Sequence, residues 1–484
     1  MKTNIIEPNK TMRHEFHRPG DGRKAFLLST PKAVTPYAGL ATLLDFFQHL
    51  GLPAILASLM PFSYASPNAI GPVNILIAFL LSVALGAKRF AHLNGLRSDT
   101  ALLGLLGWKR WPSADATLSF FARFDWKQIE LFFPPLTAWL LGKLAPQTAS
   151  LDLDSTVFER YGNQQGAKKG YNPRKPGHHS HHPLVAVLAE PLFILHGWLR
   201  SGNTTAGRGV LAFLTEALQL VPATTRLRCV RADSGFLDAR LLDFLEEKNL
   251  RYIIVARMNS TIKRRCAGIR HWRDLDANYA VGEFHEQLHG WKHARRFVVV
   301  RERVRDEKHA LGRPLIDVPG YTYRVFVTDL DAPPEEAWRD YNQRACIEQR
   351  ILELKDDYGA DGFCRQDFFA TEAAFRAVLT LFNLLSLWQT ATRGEDAPHQ
   401  RLTTLRAQVF TCGAIAGRVG HTYVLHMSTS WGGLETRKPL MDKAKQWCEA
   451  TTTRLPRSPE QTEPESAKPS PQPMQTEPNA PPPG

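Results

Sequence analysis

Between residues 150 and 256 the sequence alternates short apolar runs with amphipathic stretches, and this order constrains the fold more than any other feature. The runs at 150–158, 184–189 and 193–199 have the alternation and length of strands. After them the pattern predicts a helix at 206–220, a strand at 227–232, a helix at 237–247 and a strand at 252–256. Three strands followed by helix, strand, helix and strand predict an α/β core.

This order places two aspartates at strand ends. Asp154 lies on the first strand, in the run Ser-Leu-Asp-Leu-Asp-Ser-Thr, and Asp233 directly follows the fourth strand. The order of elements is that of a ribonuclease-H-like core, in which the first and fourth strands are neighbours, so we expect the two carboxylates to lie close together. Asp152 is an alternative to Asp154, because residues two apart on a strand face the same way.

The stretch 341–355 is predicted to form a helix with a polar stripe beside an apolar one. At about 100° per residue, four polar residues fall inside a wedge of about 60°: Tyr341, Arg344, Glu348 and Lys355. The apolar stripe consists of Ile347, Ile351, Leu354 and Tyr358. The helix can therefore pack on a core while Glu348 faces the edge of that core, where it can meet other acids. The alternative is an ordinary amphipathic helix with an Arg344–Glu348 ion pair.

Three features together resemble a known family: an Asp-Ser-Thr after a strand, a second strand ending in Asp-x-Gly, and the spacing Tyr-x2-Arg-x3-Glu-x6-Lys. They are similar to those of the DDE transposases of bacterial insertion sequences, in the group named for its YREK helix. Every spacing within the last motif matches, and the similarity extends more loosely from about residue 40 to about residue 430. The resemblance implies an enzyme that acts on the ends of its own mobile DNA element.

Three acids are the candidate catalytic and metal-binding residues: Asp154, Asp233 and Glu348. Their hard oxygen atoms suit Mg²⁺ or Mn²⁺. Two such ions, about 3.5–4 Å apart, can activate the attacking water or 3′-hydroxyl and stabilise the leaving oxygen of a phosphodiester. We therefore expect two divalent ions at these three carboxylates.

The resemblance also implies which residues contact DNA. In the family, the tyrosine, arginine and lysine of the YREK helix contact phosphates near the cut, and Tyr341, Arg344 and Lys355 occupy these positions. A homodimer that pairs two element ends is implied by the family alone. Some members hold a flipped base on an aromatic side chain, for which Tyr323 and Trp291 are the candidates here, with a place in the core as the alternative for both.

A basic loop at 160–182 follows Asp154 in the sequence. Its cations are Lys168, Lys169, Arg174 and Lys175, with Tyr161 and Tyr171 interleaved. Cations and aromatic rings on a glycine-containing loop suit contact with the backbone and bases of DNA. The histidine cluster at 178–182 could instead bind zinc, although no cysteine accompanies it. A solvated hairpin tip is the remaining alternative.

Charge and composition favour a nucleic-acid partner and a reducing compartment. The 484-residue chain has a formal net charge of +13 and a pI near 9.5, which favours a polyanionic partner. Six cysteines are scattered without a Cys-x-x-Cys pair, so neither a disulfide scaffold nor a zinc ribbon is indicated. The apolar run 75–87 is shorter than the roughly 20 residues that cross a bilayer. These features favour a polyanionic partner, a reducing cytoplasm and no membrane association. The resemblance implies that the partner is double-stranded DNA and that the protein is bacterial and nucleoid-associated.

The sequence divides into five predicted regions around this core. The stretch between Asp233 and Glu348 is too long for a minimal core, and its runs predict a mostly β insertion at about 258–330. Within the N-terminal helical region, 102–124 could be a DNA-binding helix-turn-helix or a plain packing unit. The predicted regions are a flexible arm at 1–35, a helical DNA-binding domain at 36–146, a ribonuclease-H-like catalytic domain at 147–400, a helical region at 401–452 and a disordered Pro-rich tail at 453–484.

The expected function is that of a transposase with two-metal-ion chemistry. It would bind the terminal inverted repeats of an insertion sequence, cleave the phosphodiester and transfer the 3′-hydroxyl strand to target DNA. Two alternatives are a catalytically silent DNA-binding relic and a ribonuclease-H-like nuclease that cuts without joining.

Overall fold

The computed structural model describes residues 13–172, 175–304, 313–315 and 318–454. Its helices are α1 Ala41–Leu50, α2 Leu52–Leu59, α3 Pro72–Ala84, α4 Thr100–Leu106, α5 Ala114–Phe121, α6 Trp126–Leu144, α7 Val210–Gln219, α8 Ala239–Glu247, α9 Ser260–Ala267, α10 Pro334–Asn342, α11 Ala345–Asp356, α12 Phe368–Arg393, α13 Leu402–Leu405 and α14 Lys438–Arg454. Its strands are β1 Arg13–His17, β2 Lys24–Leu28, β3 Val34–Thr35, β4 Thr148–Ser155, β5 Phe158–Glu159, β6 Lys168–Lys169, β7 His179–His181, β8 Leu184–Leu188, β9 Phe193–Trp198, β10 Arg226–Ala232, β11 Tyr252–Val255, β12 Arg273–Asp274, β13 Tyr279–Glu286, β14 Arg295–Arg303, β15 Arg313–Leu315, β16 Val318–Thr328, β17 Ala414–Val419 and β18 Thr422–Met427.

A large mixed sheet is the centre of the molecule. Its strand order is β12-β13-β14-β16-β11-β10-β4-β8-β9, with β15 paired to β16. Strands β4, β10 and β11 are parallel neighbours, whereas β8 pairs antiparallel to β4, and β9 pairs antiparallel to β8. Strands β8 and β11 are short apolar runs, whereas β4 and β10 mix apolar and charged residues, and most positions of all four strands are buried, as in strands covered on both faces. The prediction of an α/β fold is confirmed.

Helix α12 fills the space between the sheet and the N-terminal helices. It packs on β9 on one side and on α3, α5, α6 and α14 on others. Among the described helices, α12 has the length and hydropathy to span a membrane by itself, and α1 and α2 would do so only as a bent pair. However, 89% of the most apolar window of α12 is buried within the protein, as in the core helix of a compact fold.

One buried apolar cluster extends from the N-terminal helices through the sheet to α14. Helix starts in this region follow local sequence signals. Pro72 begins α3, and the Ser113 hydroxyl caps α5 by accepting the Ala116 amide at 3.1 Å. Asp125 and Gln128 form a reciprocal capping box at the start of α6. The cluster crosses the predicted boundaries at 146 and 400, so helices and sheet share one core.

Three predicted regions differ in detail from the structure. The arm at 1–35 contains the β1–β2 hairpin, and residues 1–12 lie outside the described residues. The insertion at 258–330 is rich in strands as predicted, but it begins with α9 and its strands extend the central sheet through the β16–β11 pairing. The region at 401–452 was expected to be helical, which is wrong for the β17–β18 hairpin at 414–427. The tail from 455 onward lies outside the described residues.

Candidate active site

The carboxyl ends of β4 and β10 bring the two aspartates together. In the parallel pairing of these strands, Leu153 lies opposite Ala232. Asp154 directly follows Leu153 and Asp233 directly follows Ala232, so both aspartates lie at the same edge of the sheet. This arrangement agrees with the expected proximity of the first and fourth strands of the core.

Backbone amides fix the orientation of both aspartates. Asp154 is buried, with 9% of its surface exposed, and its Oδ1 accepts the amide N–H of Ser155 at 2.8 Å. Asp233 caps the short 3₁₀ turn at 234–236, where its Oδ1 accepts the amide N–H of Gly235 at 2.8 Å. Each of the two carboxylates therefore has one anchored oxygen.

Arg344 links the strand acids to the helix acid. Its Nη2 lies 3.5 Å from Asp154 Oδ1 and donates to the carbonyl oxygen of Leu153 at 2.9 Å. Its Nη1 lies 3.9 Å from Glu348 Oε1. Because Arg344 is only 3% exposed, one buried guanidinium contacts both a strand carboxylate and a helix carboxylate.

The charges of the three acids act on one another. Burial raises the pKa of Asp154 to about 6, and the guanidinium of Arg344 opposes this shift. Asp233 and Glu348 both add to the rise through their negative charges. A protonation change at Asp154 is therefore coupled to the other two carboxylates, as expected when like charges share one site.

Asp152, the alternative to Asp154, forms a buried ion pair with Arg231. Arg231 donates to both of its carboxylate oxygens, from Nε at 2.6 Å and from Nη2 at 3.1 Å. The same guanidinium donates from Nη1 to Asp340. Asp152 and Arg231 are both almost fully buried, so this bidentate pair joins β4, β10 and α10. The contacts favour Asp154 as the acid that faces the site.

A cavity of about 510 Å³ opens beside these acids. Asp233, Arg344 and Glu348 line it, together with two arginines that sequence reasoning missed, Arg257 and Arg324. Arg257 lies two residues after the end of β11, and its Nε donates to the carbonyl oxygen of Ser234 at 2.8 Å, which supports the Asp233 turn. A cation at the end of a strand beside β10 was the signal that could have identified it.

The predicted helix at 341–355 is two helices with a break at residues 343–344. Tyr341 lies in the last turn of α10 and is 3% exposed, with Phe326 at 4.7 Å between ring centroids and the Arg324 guanidinium 4.9 Å from its ring. On α11, Lys355 Nζ donates to the carbonyl oxygen of Val157 at 3.1 Å. The break lets Arg344 begin α11 while Tyr341 forms part of the cavity wall. The DNA contacts of these residues stay a prediction.

Most of the basic loop forms a small sheet of β5, β7 and β6 beside the core. Lys168 and Lys169 are exposed on β6, whereas Lys175 pairs with Glu159 at 2.8 Å and bonds to Tyr161. The rings of Tyr161 and Tyr171 are 79% and 73% exposed. Arg174 lies outside the described residues. The exposed cations and rings are available to a partner at the surface.

Two of the four histidines in the cluster, His181 and His182, are buried within this small sheet. His181 is fully buried, accepts from Arg160 Nε at 2.9 Å and bonds to the Gln165 carbonyl at 2.8 Å. His182 bonds through Nδ1 to the Thr204 carbonyl at 2.6 Å. Burial lowers the pKa of His181 to about 4. Both rings have structural partners, so the zinc alternative is not supported.

The two candidates for a base-holding ring are both packed. Tyr323 is 2% exposed, lies 6.0 Å from Trp272 between ring centroids, and lines the cavity beside Asp233. Trp291 stacks on Phe297 at 5.7 Å, with the Arg295 guanidinium on its face. Of the two, Tyr323 is the ring that borders the cavity.

As they stand, the three acids do not form a complete metal site. Within the described ranges, no group of three His, Cys, Asp or Glu side chains is close enough to hold a metal ion as it stands. The Glu348 side chain is 72% exposed, so rotation about its side-chain bonds is not blocked by packing. Mg²⁺ takes one or two carboxylates plus substrate phosphate oxygens in many DNA-processing sites. Asp154 and Asp233 provide that minimum, and Glu348 can complete the set.

Fold and site together define an α/β protein with an acidic centre at the carboxyl edge of its sheet. The family described as "Transposase DDE domain group 1" matches residues 19–444, which is most of the chain, and the protein belongs to this family. Membership implies an enzyme of DNA transposition.

Among solved structures, the chain is similar to one described as a cryo-EM structure of the piggyBac transposase synaptic complex with hairpin DNA. The sequence identity is 12% and the TM-score 0.42, with 91% of each chain covered. The comparison with curated proteins found no match.

Proposed function

We propose that this protein is the transposase of a bacterial insertion sequence, in the group with the YREK helix. It binds the terminal inverted repeats of its element as double-stranded DNA, cleaves the phosphodiester there and transfers the 3′-hydroxyl strand to target DNA. The observation that carries the proposal is the convergence of Asp154, Asp233 and Glu348 around Arg344, in a chain of the DDE transposase family.

The catalytic core in this proposal is ribonuclease-H-like. Support comes from the sheet order β9-β8-β4-β10-β11, in which three antiparallel strands are followed by two parallel ones. The β insertion follows β11 and returns to the core through α10 and α11. This path carries Glu348 back to the edge of the sheet where the two aspartates lie.

Asp154, Asp233 and Glu348 would hold two Mg²⁺ or Mn²⁺ ions. Bound ions supply the activation of a water or 3′-hydroxyl and the stabilisation of the leaving oxygen. The protein's own contribution is positional. Arg344 holds Asp154 and Glu348 on one guanidinium, and Arg257 supports the turn that carries Asp233. Burial beside low-dielectric core strengthens these interactions.

The DNA contacts in this proposal lie around the cavity and on the basic loop. Arg344, Tyr341 and Lys355 would face phosphates next to the cut, and Arg offers the planar fork that suits a phosphate. On the loop, Lys168 and Lys169 are exposed for further backbone contacts, and Arg174 and Lys175 belong to the same basic run. The protein would act as a homodimer when two ends are paired, in the bacterial cytoplasm with the nucleoid.

A cleavage assay separates the proposal from its two alternatives. The purified protein is incubated with Mg²⁺, labelled DNA that carries the inverted repeats flanking its gene, and a supercoiled target plasmid. We expect labelled DNA joined to the target. Cut products without joined ones would favour a nuclease, and retardation in a gel without cleavage would favour a DNA-binding relic. The Asp233→Asn variant should bind the DNA and yield neither product, and a variant that still cuts would remove Asp233 from the site.

A further inference from the structure

A second cavity, of about 350 Å³, lies in the N-terminal helical region and has no role in the proposed catalysis. Three arginines line it, Arg97, Arg110 and Arg123, together with the rings of Tyr64 and Trp111. We call it the N-terminal arginine cavity. Within the described residues, none of these arginines forms an ion pair with a carboxylate. The buried Arg231 and Arg344, by contrast, each pair with an aspartate.

Two of the three arginines are held in place by neighbours that leave their charge uncompensated. The Arg123 guanidinium lies 4.9 Å from the ring centroid of Tyr64. Arg110 donates from Nη2 to the backbone carbonyl of Asn68. A ring face and a carbonyl orient a guanidinium without neutralising it. The cavity therefore has a fixed positive wall.

The start of helix α5 also borders this cavity, but two of its first amides already have partners. Ser113 and Ala116 line the cavity, and the Ser113 hydroxyl accepts the Ala116 amide at 3.1 Å. The Ala114 amide donates to Asn94 Oδ1 at 3.1 Å. The positive charge of the wall therefore comes from the three guanidinium groups, which is an arrangement that an anion stabilises.

We propose that the N-terminal arginine cavity binds a phosphate group carried on an organic body. Planar guanidinium forks match phosphate oxygens in pairs, and arginine is preferred over lysine at such sites. The Tyr64 ring would contact the body attached to the phosphate, because aromatic faces accept bases and sugars. The volume suits one nucleotide rather than a bare ion.

The phosphate has two possible sources, a DNA strand outside the catalytic cavity and a free nucleotide. With DNA, the proposal extends the proposed function by a second contact that does not involve the catalytic acids. With a free nucleotide, the proposal does not depend on the proposed function. The chemistry at the three arginines is the same in both cases.

Arg97 offers the cleanest test, because it is exposed and its side chain makes no hydrogen bond or ion pair within the described part of the chain. The variant Arg97→Gln is compared with Arg226→Gln, which removes the same charge from an exposed position at the start of β10, at the strand end opposite Asp233. Both full-length proteins are compared with wild type in thermal unfolding, where each should match it. The two variants then differ only in which surface has lost a cation.

Binding is measured by two methods. Fluorescence anisotropy follows a labelled random-sequence duplex over a range of NaCl concentrations, with Ca²⁺ in place of Mg²⁺, and equilibrium dialysis follows labelled AMP. If DNA supplies the phosphate, Arg97→Gln should weaken duplex binding by about fivefold and lower the slope of log K against log salt by about one. If a free nucleotide supplies it, AMP should bind wild type and Arg226→Gln but not Arg97→Gln.

The proposal is overturned if Arg97→Gln and Arg226→Gln give the same values in both assays. It is also overturned if polyglutamate binds in an Arg97-dependent way while duplex and AMP do not, since the cavity would then bind an acidic peptide. Neither assay measures cleavage. Loss of the proposed transposase function would instead appear as wild-type protein that does not cut, so the two failures are distinguishable.

Discussion

Two glutamates on α11, five residues apart, should respond oppositely to substitution. Glu353 is 1% exposed and accepts from Arg350 Nη1 at 2.8 Å and from the Leu402 amide at 3.1 Å. His399 Nε2 lies 3.0 Å from it. Glu348 is 72% exposed, and its cation partner Arg344 lies 3.9 Å away. The first carboxylate therefore stabilises the fold, and the second is available for chemistry.

The magnitude follows from these contacts. Removing one partner of a buried charged pair costs about 3–5 kcal/mol, because the remaining polar groups stay buried without a partner. We expect Glu353→Ala to lower the free energy of unfolding by that amount. An exposed residue with one weak ion pair contributes under about 0.5 kcal/mol, so Glu348→Ala should leave stability unchanged. Cleavage should be abolished by Glu348→Ala and retained by the folded fraction of Glu353→Ala.

The free energies of unfolding of the two variants are measured by urea titration with circular dichroism as the signal. Their activities are measured as DNA cleavage per folded molecule. Wild type is the common reference, and the two variants serve as controls for each other. Equal destabilisation by both substitutions would refute the assignment of roles from burial. So would full cleavage activity in Glu348→Ala.

Three further substitutions test the neighbouring contacts. Asp154→Asn should stabilise the metal-free protein by about 3 kcal/mol at pH 7.5 and by little at pH 4. The reason is that the pKa of Asp154 in the folded protein, about 6, lies above the ordinary 3.8, so the wild-type protein loses stability as the pH rises through the folded pKa. Urea unfolding at both pH values checks this prediction, and equal effects at the two pH values would contradict it. Asp152→Ala should destabilise by about 3–5 kcal/mol, because Arg231 would lose its buried partner; an unchanged unfolding midpoint would contradict the structural role. Arg344→Lys should keep the positive charge but lose the simultaneous contact with Asp154 and Glu348, and it should slow cleavage by on the order of 100-fold in single-turnover assays. A cleavage rate near that of wild type would show that this simultaneous contact is dispensable.

Local patterns were sufficient to predict the elements of the core. The strands at 150–158, 184–189, 193–199, 227–232 and 252–256 correspond to β4, β8, β9, β10 and β11, because each is a short apolar or alternating run. The positions of Asp154 and Asp233 follow from those strands, since strand ends fix where the next residue emerges. These features depend only on residues close together in the sequence.

Long-range pairings could not be predicted in the same way. The choice between Asp152 and Asp154 depends on Arg231, whose position opposite Asp152 is a matter of strand register. Tyr341 packs on Phe326 of β16, whereas Arg344 donates to the carbonyl oxygen of Leu153 on β4. The break between α10 and α11 lies between these two contacts, and the helical periodicity of the sequence does not predict it. Both are consequences of tertiary contacts.

One missed element did have a local signal. The β17–β18 hairpin lies in a region expected to be helical, yet Gly420 and His421 form a two-residue connection between alternating runs. Gly420 has a φ of 60°, which glycine adopts without strain. The pairing of β17 with β3, far away in sequence, then stabilises the hairpin.

The central claim is that three acids distant in sequence share divalent ions. Electron paramagnetic resonance of Mn²⁺, titrated into the protein bound to uncleaved element-end DNA, counts those ions without requiring turnover. We expect two ions per chain in wild type, and fewer in each of Asp154→Asn, Asp233→Asn and Glu348→Gln. Variants that bind as many ions as wild type with the same affinity would contradict the claim.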